Sequence, residues 1–116
     1  MNDPDCLFCK FVSGTIPANI VYETEHVLAF RDINPQAPSH ILIVPRRHIA
    51  TINDIEDGDA ELVGMLITAA RDIAKQEGTD GPGYRVTMNC NKAAGQSVFH
   101  LHLHLLGGRN FAWPPG

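Results

Sequence analysis

The sequence lacks any apolar run approaching the roughly 20 residues that cross a bilayer, which excludes a helical membrane span. It also lacks an excess of basic charge. Nine Lys and Arg face 13 Asp and Glu, for a formal net charge of −4. A domain that grips nucleic acid through its backbone is expected to be basic, so that class is disfavoured. Cysteine is scarce, with three residues, and the acidic start Met1-Asn2-Asp3-Pro4-Asp5 carries no apolar core of a signal peptide. A disulfide framework is therefore not expected, and a cytoplasmic location is. No internal repeat and no linker interrupts the chain.

What is present is globular. Hydrophobic residues make up 44% and charged residues 19% of 116 residues, a length that predicts one domain over 1–116 with one core. The negative balance leaves room for a single small phosphate ligand, which needs only local donors. Histidine is the unusual component. There are six, and His100, His102 and His104 fall within five residues.

The segment 5–14 predicts a short helix, with Asp5 as its cap and Gly14 at its end. Residues 19–24 and 26–32 read as two strands across a tight turn. Asn34-Pro35-Gln36-Ala37-Pro38 is a loop, because two prolines forbid regular pairing. The apolar run 40–44 reads as a central strand. A long helix is expected over 59–77, capped within Asp57-Gly58-Asp59 and stopped by Gly78. Its stripe is Leu62, Val63, Leu66, Ile67, Ala70 and Ile73. Strands over 84–89 and 98–106 follow, separated by a loop. The expected class is α+β: a five-stranded, mostly antiparallel sheet with one long and one short helix.

Side chains on a strand alternate between faces. Over 98–106 this sends Phe99, Leu101, Leu103 and Leu105 to one side and His100, His102 and His104 to the other. One face is core and the other is a row of titratable rings. Three chemistries suit such a row: a solvated face, a metal site, or catalysis on phosphate. Neutral imidazoles two residues apart can share a zinc ion. A neutral imidazole is also a nucleophile, and a protonated neighbour can donate to a leaving group. The preceding Gly95-Gln96-Ser97 offers free amides and a hydroxyl, which favours phosphate.

Cys6-Leu7-Phe8-Cys9 has two readings of its own. A redox pair wants an apolar strand just before it, and only five polar-leaning residues precede it here. Half a zinc site is the other, needing two further ligands.

Together these residues resemble the histidine triad (HIT) family, whose motif His-x-His-x-His-x-x reads His100-Leu101-His102-Leu103-His104-Leu105-Leu106 here. Ala29 to His40 (Ala-Phe-Arg-Asp-Ile-Asn-Pro-Gln-Ala-Pro-Ser-His) is similar to the family's upstream block. Gly95-Gln96-Ser97 lies where its phosphate loop should. The tail from Gly107-Gly108-Arg109 to Trp113-Pro114-Pro115-Gly116 is similar to that of the Hint branch, the histidine triad nucleotide-binding proteins. The loop Cys90-Asn91-Lys92-Ala93-Ala94 departs from the pattern, since a more glycine-rich stretch is common there.

The resemblance implies a homodimer that hydrolyses purine nucleoside 5′-phosphoramidates through a nucleotidyl-histidine and binds monophosphates such as AMP and GMP. It implies His102 as the nucleophile, His104 on the phosphate or leaving group, and His100 and His40 as supporting histidines. Asp32 would take the ribose hydroxyls; two acceptor oxygens suit a diol. The alternative reading of Asp32 is a turn cap before Pro35. Phe8, Phe11, Ile16, Phe30 and Ile33 would wall the base, although Phe30 also suits plain core. Asn89, Gly95, Gln96 and Ser97 would form the phosphate shell. Some members, including galactose-1-phosphate uridylyltransferases, hold a structural zinc through two such cysteines and two histidines, which match Cys6, Cys9, His48 and His100. The chemistry itself would require no cofactor. A ligand role and a catalytic role for His100 then compete. His26 is expected at the surface and Cys90 as a spectator.

Overall fold

The computed structural model describes residues 3–116. Its elements run α1 (Leu7–Ser13), β1 (Ile20–Glu23), β2 (Val27–Arg31), β3 (Ser39–Pro45), α2 (Ala60–Glu77), β4 (Tyr84–Thr87) and β5 (Leu103–Gly107), with short 3-10 turns between. The strands form one five-stranded sheet in the order β1-β2-β3-β5-β4. Every pairing is antiparallel.

The sheet is covered on both faces, and strand periodicity assigns each residue to one of them. Val27 and Ala29 of β2, Ile41 and Ile43 of β3, and Leu103 and Leu105 of β5 pack with Leu66, Ala69, Ala70 and Ile73 of α2. The alternate residues Leu28, Phe30, Leu42 and Val44 pack with Cys6, Phe8 and Cys9 around α1. Double coverage explains why β3 is buried along nearly its whole length, as the apolar run 40–44 requires. Register then fixes the site. Phe30 lies opposite Leu42 and Leu42 opposite His104, so these three side chains share the α1 face.

Several expectations need correction. Cys6, not Asp5, caps α1, its sulfur accepting from the Cys9 amide; Gly14 does end the helix, at φ 78°. Asp59 occupies the cap position of α2 without capping it, because its carboxylate accepts from the Glu56 amide and pairs with Arg47. On α2, Ala69 joins the core while Ile67 stays 51% exposed. Strand β4 stops at Thr87 rather than 89.

The largest difference is the histidine strand, which begins at Leu103 rather than Val98. The β3–β5 ladder ends at the pair Ile43 and Leu103. Beyond it Pro45 has no N–H to give, and its carbonyl accepts from the His100 ring. The Leu101 amide turns instead to the Ile49 carbonyl at 2.6 Å. Leu101 still enters the α2-side core, but Phe99 is 48% exposed. His26 is at the surface, as expected. Among the described residues no helix is long and apolar enough to cross a membrane.

Candidate active site

On the α1 face a cleft of ≈ 540 Å³ opens between α1, the chain leaving it, and the sheet. Phe8, Phe11, Phe30 and Ile33 line it, together with Asp32, Ser97, His102 and His104. The phenylalanines form one edge-to-face cluster, with Phe30 centred 5.3 Å from Phe8 and 5.0 Å from Phe11. Phe30 is thus both core and wall. Ile33 is almost fully exposed at the cleft's edge. Ile16 is not among the lining residues.

His102 sits in the cleft with Phe8 edge-on to its ring at 5.1 Å. Its Nδ1 lies 2.7 Å from the His100 carbonyl oxygen. A carbonyl only accepts, so Nδ1 carries the proton, and in the neutral ring Nε2 keeps a free electron pair. Burial lowers the His102 pKa and so favours that neutral form.

The neighbouring rings are wired differently. The Gln36 amide donates to Nδ1 of His40 at 3.0 Å, which places the His40 proton on Nε2. That proton is donated to Nδ1 of His104, 2.9 Å away, while Asp32 Oδ2 lies 3.5 Å from the same nitrogen. His104 must then hold its own proton on Nε2. Burial, with His102 and His40 nearby, pushes the His104 imidazole down to about 4. The rings of His102 and His104 are 5.0 Å apart. A lone pair and an N–H donor therefore stand side by side in the cleft. Asp32 does serve as a turn cap through Oδ1, which accepts from the Asn34 amide. Its Oδ2 lies near His40, and the residue lines the cleft.

His100 is fully buried and does not line the cleft. Its Nε2 donates to the Pro45 carbonyl at 2.8 Å, so the Nδ1 lone pair is free. Around that nitrogen lie Cys6 Sγ at 3.5 Å, Cys9 Sγ at 3.4 Å and His48 Nδ1 at 3.2 Å. Cys9 Sγ is also 3.3 Å from His48 Nδ1. Tetrahedral zinc bonds of about 2.3 Å to sulfur and 2.0 Å to nitrogen space the ligands about 3.3–3.8 Å apart. These four separations match that spacing, and all four donor atoms lie within 4.8 Å of one another. The Pro45 carbonyl supplies the second hydrogen bond that holds a ligating imidazole in place.

Asp32, His40 and His104 also bring donor atoms within 4.8 Å of one another. Their protons argue against a metal there. His40 Nε2 cannot ligate while Nδ1 accepts from the Gln36 amide, and His104 Nδ1 is already taken.

The loop before the triad divides the expected phosphate residues. Ser97 reaches the cleft, whereas Asn89, Gly95 and Gln96 are not among its lining residues. Gln96 is buried with its amide fully used. It accepts from the Asn91 amide and donates to the carbonyls of Ala50 and Val98. Gly95 takes φ 88°, a left-handed conformation open to glycine.

Pro17, Ala18, Asn19, Arg31, Leu42 and Val98 also line the cleft and were not foreseen. Alternation could have found Leu42, which shares the face of Phe30 and His104. The turn residues carry no sequence signal. Nor do the main-chain groups of Gln36 and Pro45 that set the ring protons.

Comparison with known proteins identifies the family. The chain is 50% identical over 105 residues to the purine nucleoside phosphoramidase of Escherichia coli, covering 90% of this chain and 88% of that one. It is 48% identical over 118 residues to a 14 kDa zinc-binding protein of Zea mays, covering 100% of this chain and 91% of that one. Among solved structures, a HIT family hydrolase from Legionella pneumophila superposes with a TM-score of 0.95 at 54% identity, covering 97% of this chain and 100% of that one. The HIT domain family model matches residues 13–111. By motif, fold and relatives alike, this chain belongs to the HIT family.

Proposed function

We propose that the protein is a hydrolase of purine nucleoside 5′-phosphoramidates, the activity named for its Escherichia coli relative. One observation carries the reading: in a nucleotide-sized cleft, His102 has Nδ1 tied to a carbonyl and Nε2 free. The base lies between Phe8, Phe11, Phe30 and Ile33. The ribose hydroxyls meet Asp32, and the α-phosphate meets His102, His104 and Ser97.

In this reading Nε2 of His102 attacks phosphorus and the P–N bond breaks. The departing nitrogen takes a proton from solvent, passed through the histidine network, and leaves as the amine. Water then attacks the nucleotidyl-histidine, its proton passes back through the histidine network to solvent, and the N–P bond breaks to free the monophosphate and neutral His102. His104, neutral and protonated on Nε2, donates a hydrogen bond to the phosphoryl oxygen as charge develops. Splitting one displacement into two lowers each barrier. No metal is needed for these steps. Gly95 and Gln96 act by shaping the loop that presents Ser97, and Asn89 stands outside that contact set.

We assign a structural zinc to Cys6, Cys9, His48 and His100. The fit of donor spacing supports it, and so does a relative named for zinc binding. This gives His100 the ligand role rather than the proton-transfer role. We also read the protein as a homodimer. Edge strand β4 has no ladder partner on its outer side among the described residues, and it exposes Tyr84 and Val86. Sedimentation at micromolar concentration is expected to show two copies.

The test of the activity is turnover of adenosine 5′-phosphoramidate to AMP and ammonia. Turnover is expected from the wild-type chain. AMP binding without turnover would favour a non-catalytic nucleotide-binding module and contradict the proposal.

A further inference from the structure

His100 joins two sites that would otherwise be separate. Its Nδ1 faces Cys6, Cys9 and His48. Its Nε2 is held by the Pro45 carbonyl, and its own carbonyl accepts the Nδ1 proton of His102. Every polar atom of its side chain and its carbonyl has a partner, and the residue is wholly buried. Moving the His100 ring therefore moves the carbonyl that fixes the nucleophile's proton.

A second path runs through α1. This helix has seven residues, well short of the length at which a helix holds together on its own. Cys6 and Cys9 flank Phe8 on it. Phe8 packs edge-on against both His100, at 6.0 Å, and His102, at 5.1 Å. It is also a wall of the cleft. Whatever draws the two sulfurs toward His48 and His100 seats Phe8 against the nucleophile.

We propose that the Cys6–Cys9–His48–His100 metal site and the nucleotide cleft form one coupled unit. Metal binding positions His102 and Phe8 for nucleotide, and nucleotide binding tightens the hold on metal. Cys6, Cys9 and His48 are thereby positioning residues for the reaction, acting through His100 and Phe8. This rests on the nucleotide-binding reading above and adds a linkage to it. A staple that merely stabilised the folded state would raise the melting temperature and leave the folded protein's affinity for nucleotide untouched. Coupling instead must be reciprocal: the factor by which zinc raises AMP affinity equals the factor by which AMP raises zinc affinity.

The test measures both sides of the cycle on the full chain. AMP affinity is read by calorimetry on zinc-loaded protein and on chelator-stripped protein shown by circular dichroism to be folded. Zinc affinity is read by competition with a chromophoric chelator, with and without saturating AMP. Both are expected to shift by one common factor of about tenfold. A cobalt(II)-substituted sample supplies a readout that needs no stripped state. Its absorption bands are expected to change as AMP is added, saturating at the calorimetric Kd. In His48→Asn, AMP affinity is expected to fall to the stripped value and to recover at excess zinc. Equal AMP affinity with and without zinc, or a cobalt spectrum indifferent to bound AMP, overturns the coupling and leaves the functional reading standing. Failure to bind zinc overturns it in the same way. Failure of zinc-loaded protein to bind AMP overturns both.

Discussion

Two groups of imidazoles lie on one face of this sheet, and they put the same Nε2–H tautomer to different uses. In the His40–His104 pair the hydrogen bonds are in series. An amide donates to the first ring, the first ring donates to the second, and the second presents an N–H. In the His48–His100 pair the two Nδ1 atoms lie 3.2 Å apart, with Cys6 and Cys9 sulfurs 3.5 and 3.4 Å from His100 Nδ1. The chemistry of the rings is identical. The difference is made by the main chain: the Gln36 N–H fixes one group and the Pro45 C=O fixes the other. A donor beside a histidine aligns it for proton-directed hydrogen bonding, and an acceptor beside it frees a lone pair for metal. His102 lies between the groups, with its Nδ1 proton held by the His100 carbonyl and its Nε2 lone pair free.

Breaking the residue between the groups should have the largest effect. His102→Ala is expected to lower turnover of adenosine 5′-phosphoramidate by about 10⁴-fold or more, with AMP affinity changed by less than about threefold. Near-normal turnover would remove the nucleophile from the account. Breaking the serial group comes next. His104→Ala removes one donor to the developing charge and is expected to lower kcat about 10²-fold. Its zinc content, read by atomic absorption, should stay at the wild-type level; a loss of zinc would show that the groups are not distinct.

Breaking the convergent group should reverse that pattern. Cys9→Ser is expected to abolish stoichiometric zinc and to lower Tm by about 10 °C, with loss of AMP affinity and a smaller fall in kcat than in His104→Ala. Burial raises the Cys9 thiol pKa in the metal-free chain, so zinc uptake at neutral pH should release protons measurable in weak buffer.

The smallest effect sharpens the serial group by pH. His40 and His104 titrate below the usual histidine value when folded, the latter at about 4, with burial the main cause in both. Asp32 opposes the shift for each. Between about pH 6.5 and 4 the unfolded chain therefore binds more protons, and stability falls as pH falls. A loss of about 1–2 kcal/mol from His104 is expected between pH 7 and pH 5. Urea midpoints should follow this in wild type, with a shallower slope in His104→Asn.

The sequence made much of this legible, for reasons that can be located. Alternation in 98–106 separated the leucines from the histidines, and it survived even though the strand itself begins only at Leu103. Pairing was lost because a ladder depends on its partner, and Pro45 ends what β3 can offer. By residue type Gln96 suits a phosphate shell, because an amide can donate to an anion. Burial turned that amide onto three main-chain groups instead. Neighbours in space, such as Ala50 beside Gln96, leave no periodic trace. Residue order leaves the two roles of His100 open, because the group that fixes its tautomer is a carbonyl 55 residues away.

The proton positions of the four rings are the centre of the account, and nitrogen-15 NMR of the neutral protein reads them directly. His102 is expected as the Nδ1–H tautomer, with His40, His100 and His104 as Nε2–H tautomers. A His102 ring protonated on Nε2, its electron pair turned toward the backbone, would contradict it.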